Sequence, residues 1–182
     1  MYTTARQILD EIDRVLRGVD PTQVDALAQA ILDAKLVIVH GLGREGLVMR
    51  SFAMRLMHLG IPVAVTGDMT TPPAGPGMLF LVACGPGYLG TVEALAGIAQ
   101  RAGAKVFMVT AQPGGSLPQM ADAVLVLPAQ TMAEGEGSSS HQAMGSAFEQ
   151  AMWILFDAVV PVLQAQRGET TEDLRKRHTN LE

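Results

Sequence analysis

Hydrophobic positions along this chain follow two alternating rhythms. From Thr4 to Leu16 the apolar residues Ile8, Ile12, Val15 and Leu16 share one face with charges opposite, which predicts an amphipathic helix. Gly18 ends it, and Asp20-Pro21 supplies a cap and first-turn pair for a second helix carrying Val24, Leu27, Ala28, Ile31 and Leu32. The rhythm then changes to short apolar runs: Leu36–His40, Pro62–Thr66, Met78–Cys84, Lys105–Thr110 and Ala123–Leu127. The third, MLFLVAC, is almost continuously apolar, as a parallel strand covered on both faces requires. Helical spacing returns at Gly46–Leu59 and Thr91–Ala102, and Gln112–Met120 reads as a loop with one helical turn.

Beyond the fifth run, Ala129–Gly145 is a polar, glycine- and serine-rich loop, long for a compact domain. Ser146–Gln166 is helical and apolar almost all round, with Pro161 inside it, which predicts burial on several sides, including by a subunit partner. A charged tail follows, with a short helix over Thr171–His178. Two helices and then five strands alternating with helices or loops predict an α/β three-layer sandwich. Its centre is a five-stranded parallel sheet flanked by helices, joined by right-handed crossovers. The reading is one domain over 1–182, with N-terminal helices in 1–35 and subunit contacts through 146–182.

Composition narrows the class. The net charge of −5 gives no basic footprint for nucleic acid. One cysteine, Cys84, excludes an intrachain disulfide and fits a reducing compartment. The N-terminus has acids and no apolar core of a secretion signal, and no uninterrupted apolar stretch reaches the roughly 18 residues of a membrane span. The expectation is a cytoplasmic protein with no membrane partner.

Candidate chemistry starts at Val37–Gly60, where a β-branched run turns on Gly41, Gly43 and Gly46 into a helix. Such a turn aims backbone N–H groups and a helix dipole at one spot and attracts phosphate. Gly41–Gly46 formally matches the dinucleotide fingerprint, but two helices precede its strand, the acid for a ribose would be the late Asp68, and Glu45 would repel a pyrophosphate. Tight strand-to-helix packing is the alternative use of these glycines. Ligands of parallel sheets bind beyond the carboxyl ends of the strands. Here the turns at Gly41 and Gly85, the loop at Thr110 and the 129–145 loop converge on one rim.

Glu149 opens the long helix in apolar surroundings. Burial would prepare it as a base for proton transfer, whereas a first-turn acid favoured by the helix dipole is the plainer use. His178 lies in the charged tail, His40 and His58 have no partner pattern, and His141 stands beside Gln142 in the long loop. No spacing of His, Cys and acids forms a metal set, and no serine occupies a nucleophile turn.

Taken together, GLGREG with FAMRLMHLG, Thr71-Pro72, AGAKV, QAMGSAFEQ and the terminal RHTNLE resemble the sugar isomerase (SIS) domain family over nearly the whole chain. The likeness is greatest to its 6-phospho-3-hexuloisomerase branch. The resemblance implies a flavodoxin-like parallel sheet, a homotetramer with sites at subunit contacts, a sugar phosphate ligand and no cofactor or metal. It implies an isomerase that interconverts ketohexose phosphates through an enediol(ate). Glu149 and His178 are then the catalytic candidates, His178 reaching a neighbouring subunit's site.

The substrate-binding candidates are Gly43, Arg44, Glu45, Gly85, Gly87, Tyr88, Thr91, Ser139, Ser140 and Gln142. Two positions depart from the family pattern: Glu45 stands where a serine is usual, and Cys84-Gly85-Pro86-Gly87-Tyr88-Leu89 replaces Ser-Gly-Ser-Gly-Glu-Thr. Losing about three hydroxyl donors at about 1 kcal/mol each weakens a phosphate site roughly a hundredfold. Thr91, Ser138 to Ser140 and the amides of Gly87 and Gly90 are replacement donors. The departures leave a second reading open: a sugar-binding module of the same fold, or an isomerase with a changed substrate.

Overall fold

The computed structural model describes residues 1–132 and 140–181. Two helices, α1 (Tyr2–Arg17) and α2 (Pro21–Asp33), precede β1 (Val37–His40). There follow α3 (Gly43–His58), β2 (Val63–Val65), β3 (Leu79–Ala83), α4 (Gly90–Arg101) and β4 (Lys105–Thr110). The chain closes with α5 (Ser116–Met120), β5 (Ala123–Val126), α6 (Ser146–Arg167) and α7 (Thr171–Lys176). Asp20 caps α2 by accepting from the Thr22 amide at 2.8 Å, with Pro21 at the first position.

The five strands form one parallel sheet in the order β2-β1-β3-β4-β5. Alternation along the strands feeds two separate cores. Val37, Val39, Leu79, Leu81, Ala83, Phe107 and Val109 face α1, α2, α3 and α6. Ile38, Phe80, Val82, Val106 and Met108 face α4 and α5. Both faces of β3 are therefore covered, which is why its sequence shows no alternation. The three-layer α/β sandwich is the expected one.

Helix α6 carries the larger core. Phe148, Met152, Phe156 and Val159 are buried along it, and Phe156 stacks on Phe52 of α3 with ring centroids 4.2 Å apart. The helix is long and apolar enough to cross a membrane by length and composition, but its buried positions are those of a core helix packed on α1, α2 and α3. It runs through Pro161 to Arg167 and stops at Gly168, whose φ of 66° reverses the chain.

Two boundary differences from the sequence expectation bear on the candidate residues. Helix α3 begins at Gly43 rather than Gly46, because Leu42 is extended and the Gly46 amide already bonds the Leu42 carbonyl at 3.2 Å. This moves Arg44 and Glu45 from a loop onto the first helical turn. Helix α7 ends at Lys176, so His178 lies outside it.

Candidate functional site

The strand order reverses between β1 and β3, and a crevice opens beyond their carboxyl ends. On the β1 side the chain crosses into α3 through a very close glycine contact. A Cβ added at Gly46 would sit 2.5 Å from the Gly41 carbonyl oxygen, so two side-chain-free residues are needed there. On the β3 side the Gly85 amide donates to both oxygens of the Glu45 carboxyl, at 3.1 and 3.3 Å. The Gly85 carbonyl in turn accepts from the Ala111 amide at 3.1 Å and the Thr110 hydroxyl at 3.3 Å. The ends of β1, β3 and β4 are thus tied together through Gly85.

The third wall is the start of α6. Glu149 lies in its first turn, and Arg44 of α3 donates through Nε to Glu149 Oε2. Between these walls is a cavity of about 490 Å³. Among the described residues its charged groups are Glu45, Glu149 and Arg44, and Leu42, Pro86, Leu89, Met132, Met144 and Phe148 give it a mainly apolar lining.

The two carboxyls are in different surroundings. Glu149 has a guanidinium partner, whereas Glu45 has the Gly85 amide and the ring of Phe148 beside Gly85. Burial pushes the Glu45 carboxyl up to about 7, against the pull of the Gly85 amide and with a smaller push from the Glu149 charge. The thiol of Cys84 below them is raised to about 12, chiefly by burial and then by Glu45. The sequence reading gave Glu149 two uses, a buried base or a first-turn acid, and did not single out Glu45 as a titrating group. The structure places the Glu45 carboxyl under the β3 turn, where burial raises it.

The candidate residues divide. Gly43, Arg44, Glu45 and Glu149 line the cavity, and Gly85 borders it through Glu45. Gly87 packs its backbone on Gln112 and Gly115 instead, with φ at 75°. Tyr88 is exposed and donates its hydroxyl to Glu93 at 3.4 Å, and Thr91 is exposed on α4. Gln142 turns toward α1, its side-chain amide donating to Glu11 at 3.3 Å and its backbone amide to Ser140 Oγ at 3.0 Å, and Ser140 and Glu11 line a separate depression beside α1. Ser138 and Ser139 lie outside the described residues.

His178 stacks on His58 with centroids 5.1 Å apart, at the far end of α3 from Arg44, roughly 20 Å away at the α-helical rise. Arg177 fixes this tail by bonding the His58 carbonyl and Glu169, each at 2.9 Å. Within one protomer Glu149 and His178 do not meet. Asp68, the ribose candidate of the dinucleotide reading, pairs with Arg50 at 3.0 Å.

Thr131 and Met132 also line the cavity and are not among the sequence candidates, whereas Pro86, Leu89 and Met144 lie in the Cys84–Leu89 turn and the QAMGSAFEQ segment that the family resemblance marks. The sequence signal for Thr131 and Met132 is their position in the 129–145 loop at the sheet's carboxyl edge. Met144 carries the one positive φ of a non-glycine residue among the described residues, 54°, and lies on that wall.

A parallel sheet with this strand order and a ligand cavity at its switch point defines the class: a flavodoxin-like α/β domain built to hold a small molecule. The SIS domain model matches residues 30–154, and the chain belongs to that family. It is 41% identical over 175 residues to the 3-hexulose-6-phosphate isomerase of Mycobacterium gastri, covering 96% of this chain and 88% of that one. The protein of the same name from Bacillus subtilis (strain 168) is 33% identical over 177 residues, covering 97% and 96%. A crystal structure of a hypothetical protein from Methanococcus jannaschii, for which a 3-hexulose-6-phosphate isomerase function was inferred, superposes with a TM-score of 0.86 at 26% identity and covers 99% of both chains.

Proposed function

We propose that this chain isomerises a 3-hexulose 6-phosphate to fructose 6-phosphate through a cis-enediol(ate), as a homotetramer in the cytoplasm. The observation that carries the reading is the Glu149 carboxylate at the edge of a mainly apolar cavity, oriented by Arg44. A carboxylate so held moves a proton between the two carbons flanking the migrating carbonyl, and Arg44 screens the negative charge that develops. Full-length likeness to proteins named for this reaction supports the substrate class.

His178 is read as acting from a neighbouring subunit, on a hydroxyl or in opening the sugar ring. Exposed apolar residues on two packed helices support a subunit contact: Leu47, Met54 and Met57 on α3, and Trp153, Ile154 and Val162 on α6. The test is a coupled assay for fructose 6-phosphate formed from the 3-hexulose phosphate, with Glu149→Gln as control. Turnover unchanged in that variant would remove Glu149 from the reaction.

One observation favours a second reading, a changed or unphosphorylated ligand: Glu45 occupies the Gly85 amide that would otherwise be open to an anion. Thermal shift with fructose 6-phosphate, ribulose 5-phosphate and free ketoses separates the two. Stabilisation by free sugars alone selects the second.

A further inference from the structure

Moving a carbonyl along a sugar chain requires two proton transfers, one at carbon and one at oxygen. Glu149 accounts for the first. Among the described residues lining the cavity, the other charged groups are Arg44, which is committed to Glu149, and Glu45. His178 of the same chain is at the opposite end of α3. Among the described residues of one protomer, the oxygen-bound proton therefore has one titratable acceptor on the cavity wall, Glu45, and His178 of a neighbouring subunit is left to the opening of the sugar ring.

Resting on the isomerase reading above, we propose that Glu45 is a second catalytic carboxyl, exchanging the oxygen-bound proton of the sugar while Glu149 exchanges the carbon-bound one. In the first half-reaction the Glu149 carboxylate takes the proton from the carbon beside the carbonyl. The C–H electron pair becomes the new C=C bond, and the carbonyl π pair takes the proton of the Glu45 carboxylic acid, giving a neutral enediol. In the second half the Glu45 carboxylate removes the proton from the other enediol hydroxyl, and protonated Glu149 returns its proton to the adjacent carbon. Both carboxyls end as they began.

The geometry suits this division. The Gly85 amide reaches both Glu45 oxygens, so it fixes the carboxyl and stabilises its transient charge, and a backbone group cannot itself titrate or swing away. No cation pairs with Glu45 among the described residues, whereas Glu149 has Arg44. Paired carboxyls whose surroundings drive them apart divide into an acid and a base. The groups facing Glu45 are Glu149 from α6, Arg44 from its own turn and Cys84 from the end of β3. Of these, Glu149 and Cys84 are electrostatically linked to Glu45. Burial holds the Glu45 carboxyl at about 7, where it can both give and accept a proton near neutrality.

The test uses the full-length assembly with Glu45→Gln, which keeps an acceptor for the Gly85 amide but cannot transfer a proton, and with Glu45→Asp. On the 3-hexulose phosphate, Glu45→Gln is expected to lower kcat about 100-fold or more with KM within about threefold, and Glu45→Asp to recover part of it. The limb of the pH–rate profile near 7 should vanish in the Gln variant. A kcat near wild type, or a raised KM with kcat intact, overturns the proposal.

A binding arm keeps this apart from the choice of substrate. Sugar hydroxamates that imitate an enediolate, phosphorylated and free, are titrated calorimetrically into wild type and Glu45→Gln, with the matching hexitols as controls. A preference for hydroxamate over hexitol that disappears in Glu45→Gln supports the role of Glu45, even if wild type leaves the hexulose phosphate unchanged and the substrate assignment falls. Equal binding by both chains, or none by wild type, overturns it.

Discussion

Glu45 and Gly85 are 40 residues apart, yet the Gly85 amide donates to both oxygens of the Glu45 carboxyl, at 3.1 and 3.3 Å. The contact joins the first turn of α3 to the turn after β3, across the point where the strand order reverses. It puts a half-buried acid beside Glu149 and fills an amide that a ligand anion could otherwise use. Most of the behaviour expected of this site follows from that one link.

Glu149→Gln should cost about 10²- to 10⁴-fold in kcat, the usual contribution of a positioned proton-transfer group. The Arg44 donor retains an oxygen acceptor in the amide, so oligomer size and melting temperature should stay near wild type. Steady-state kinetics beside light scattering checks both.

Stability should carry the mark of Glu45. Folding raises this carboxyl from 4.5 to about 7, so between those values the native state holds a proton that the unfolded chain has released. Its contribution to stability therefore falls as pH rises from about 4.5 to about 7 and is level above, by about 3 kcal/mol in all. His40 acts in the opposite sense, since burial lowers its pKa below 6.5 and its contribution rises with pH. Urea midpoints of wild type and Glu45→Gln across pH 4.5 to 8.5 isolate the first effect, because His40 is common to both. The Gln variant should gain on wild type as pH rises.

Gly46→Ala brings a methyl to 2.5 Å from the Gly41 carbonyl, backbone against backbone, so α3 must shift. The expected cost is about 1–3 kcal/mol, with turnover falling further than stability because Arg44 and Glu45 ride on that turn. Denaturant unfolding and kcat/KM measure the two. By contrast, a Cβ at Gly43 meets nothing, and only its φ of 53° opposes substitution.

His178→Ala mixed with Glu149→Gln tests the neighbour-subunit role. If His178 serves a partner's cavity, co-expressed chains recover activity that neither single variant shows, since some sites in the mixed assembly carry both groups. Arg177→Ala should lower activity in the same way by releasing the tail from Glu169 and the His58 carbonyl. Limited proteolysis near 171–181 reports that release.

The sequence by itself determined the architecture and the family. The period of its apolar residues separates helices from strands, MLFLVAC has to be covered on both faces, and the glycine turn marks the strand edge where ligands bind. Local chemistry suffices for these, because burial pattern and backbone freedom are properties of neighbouring residues. Which side chains share the cavity was decided by tertiary structure. Starting α3 at Gly43 brought Arg44 within reach of Glu149, 105 residues away, and pointed Glu45 under β3. The same packing turned Gln142 toward Glu11 and anchored His178 at the other end of α3. A side chain's direction is set by the close approach of distant elements, and so is the burial that raises Glu45.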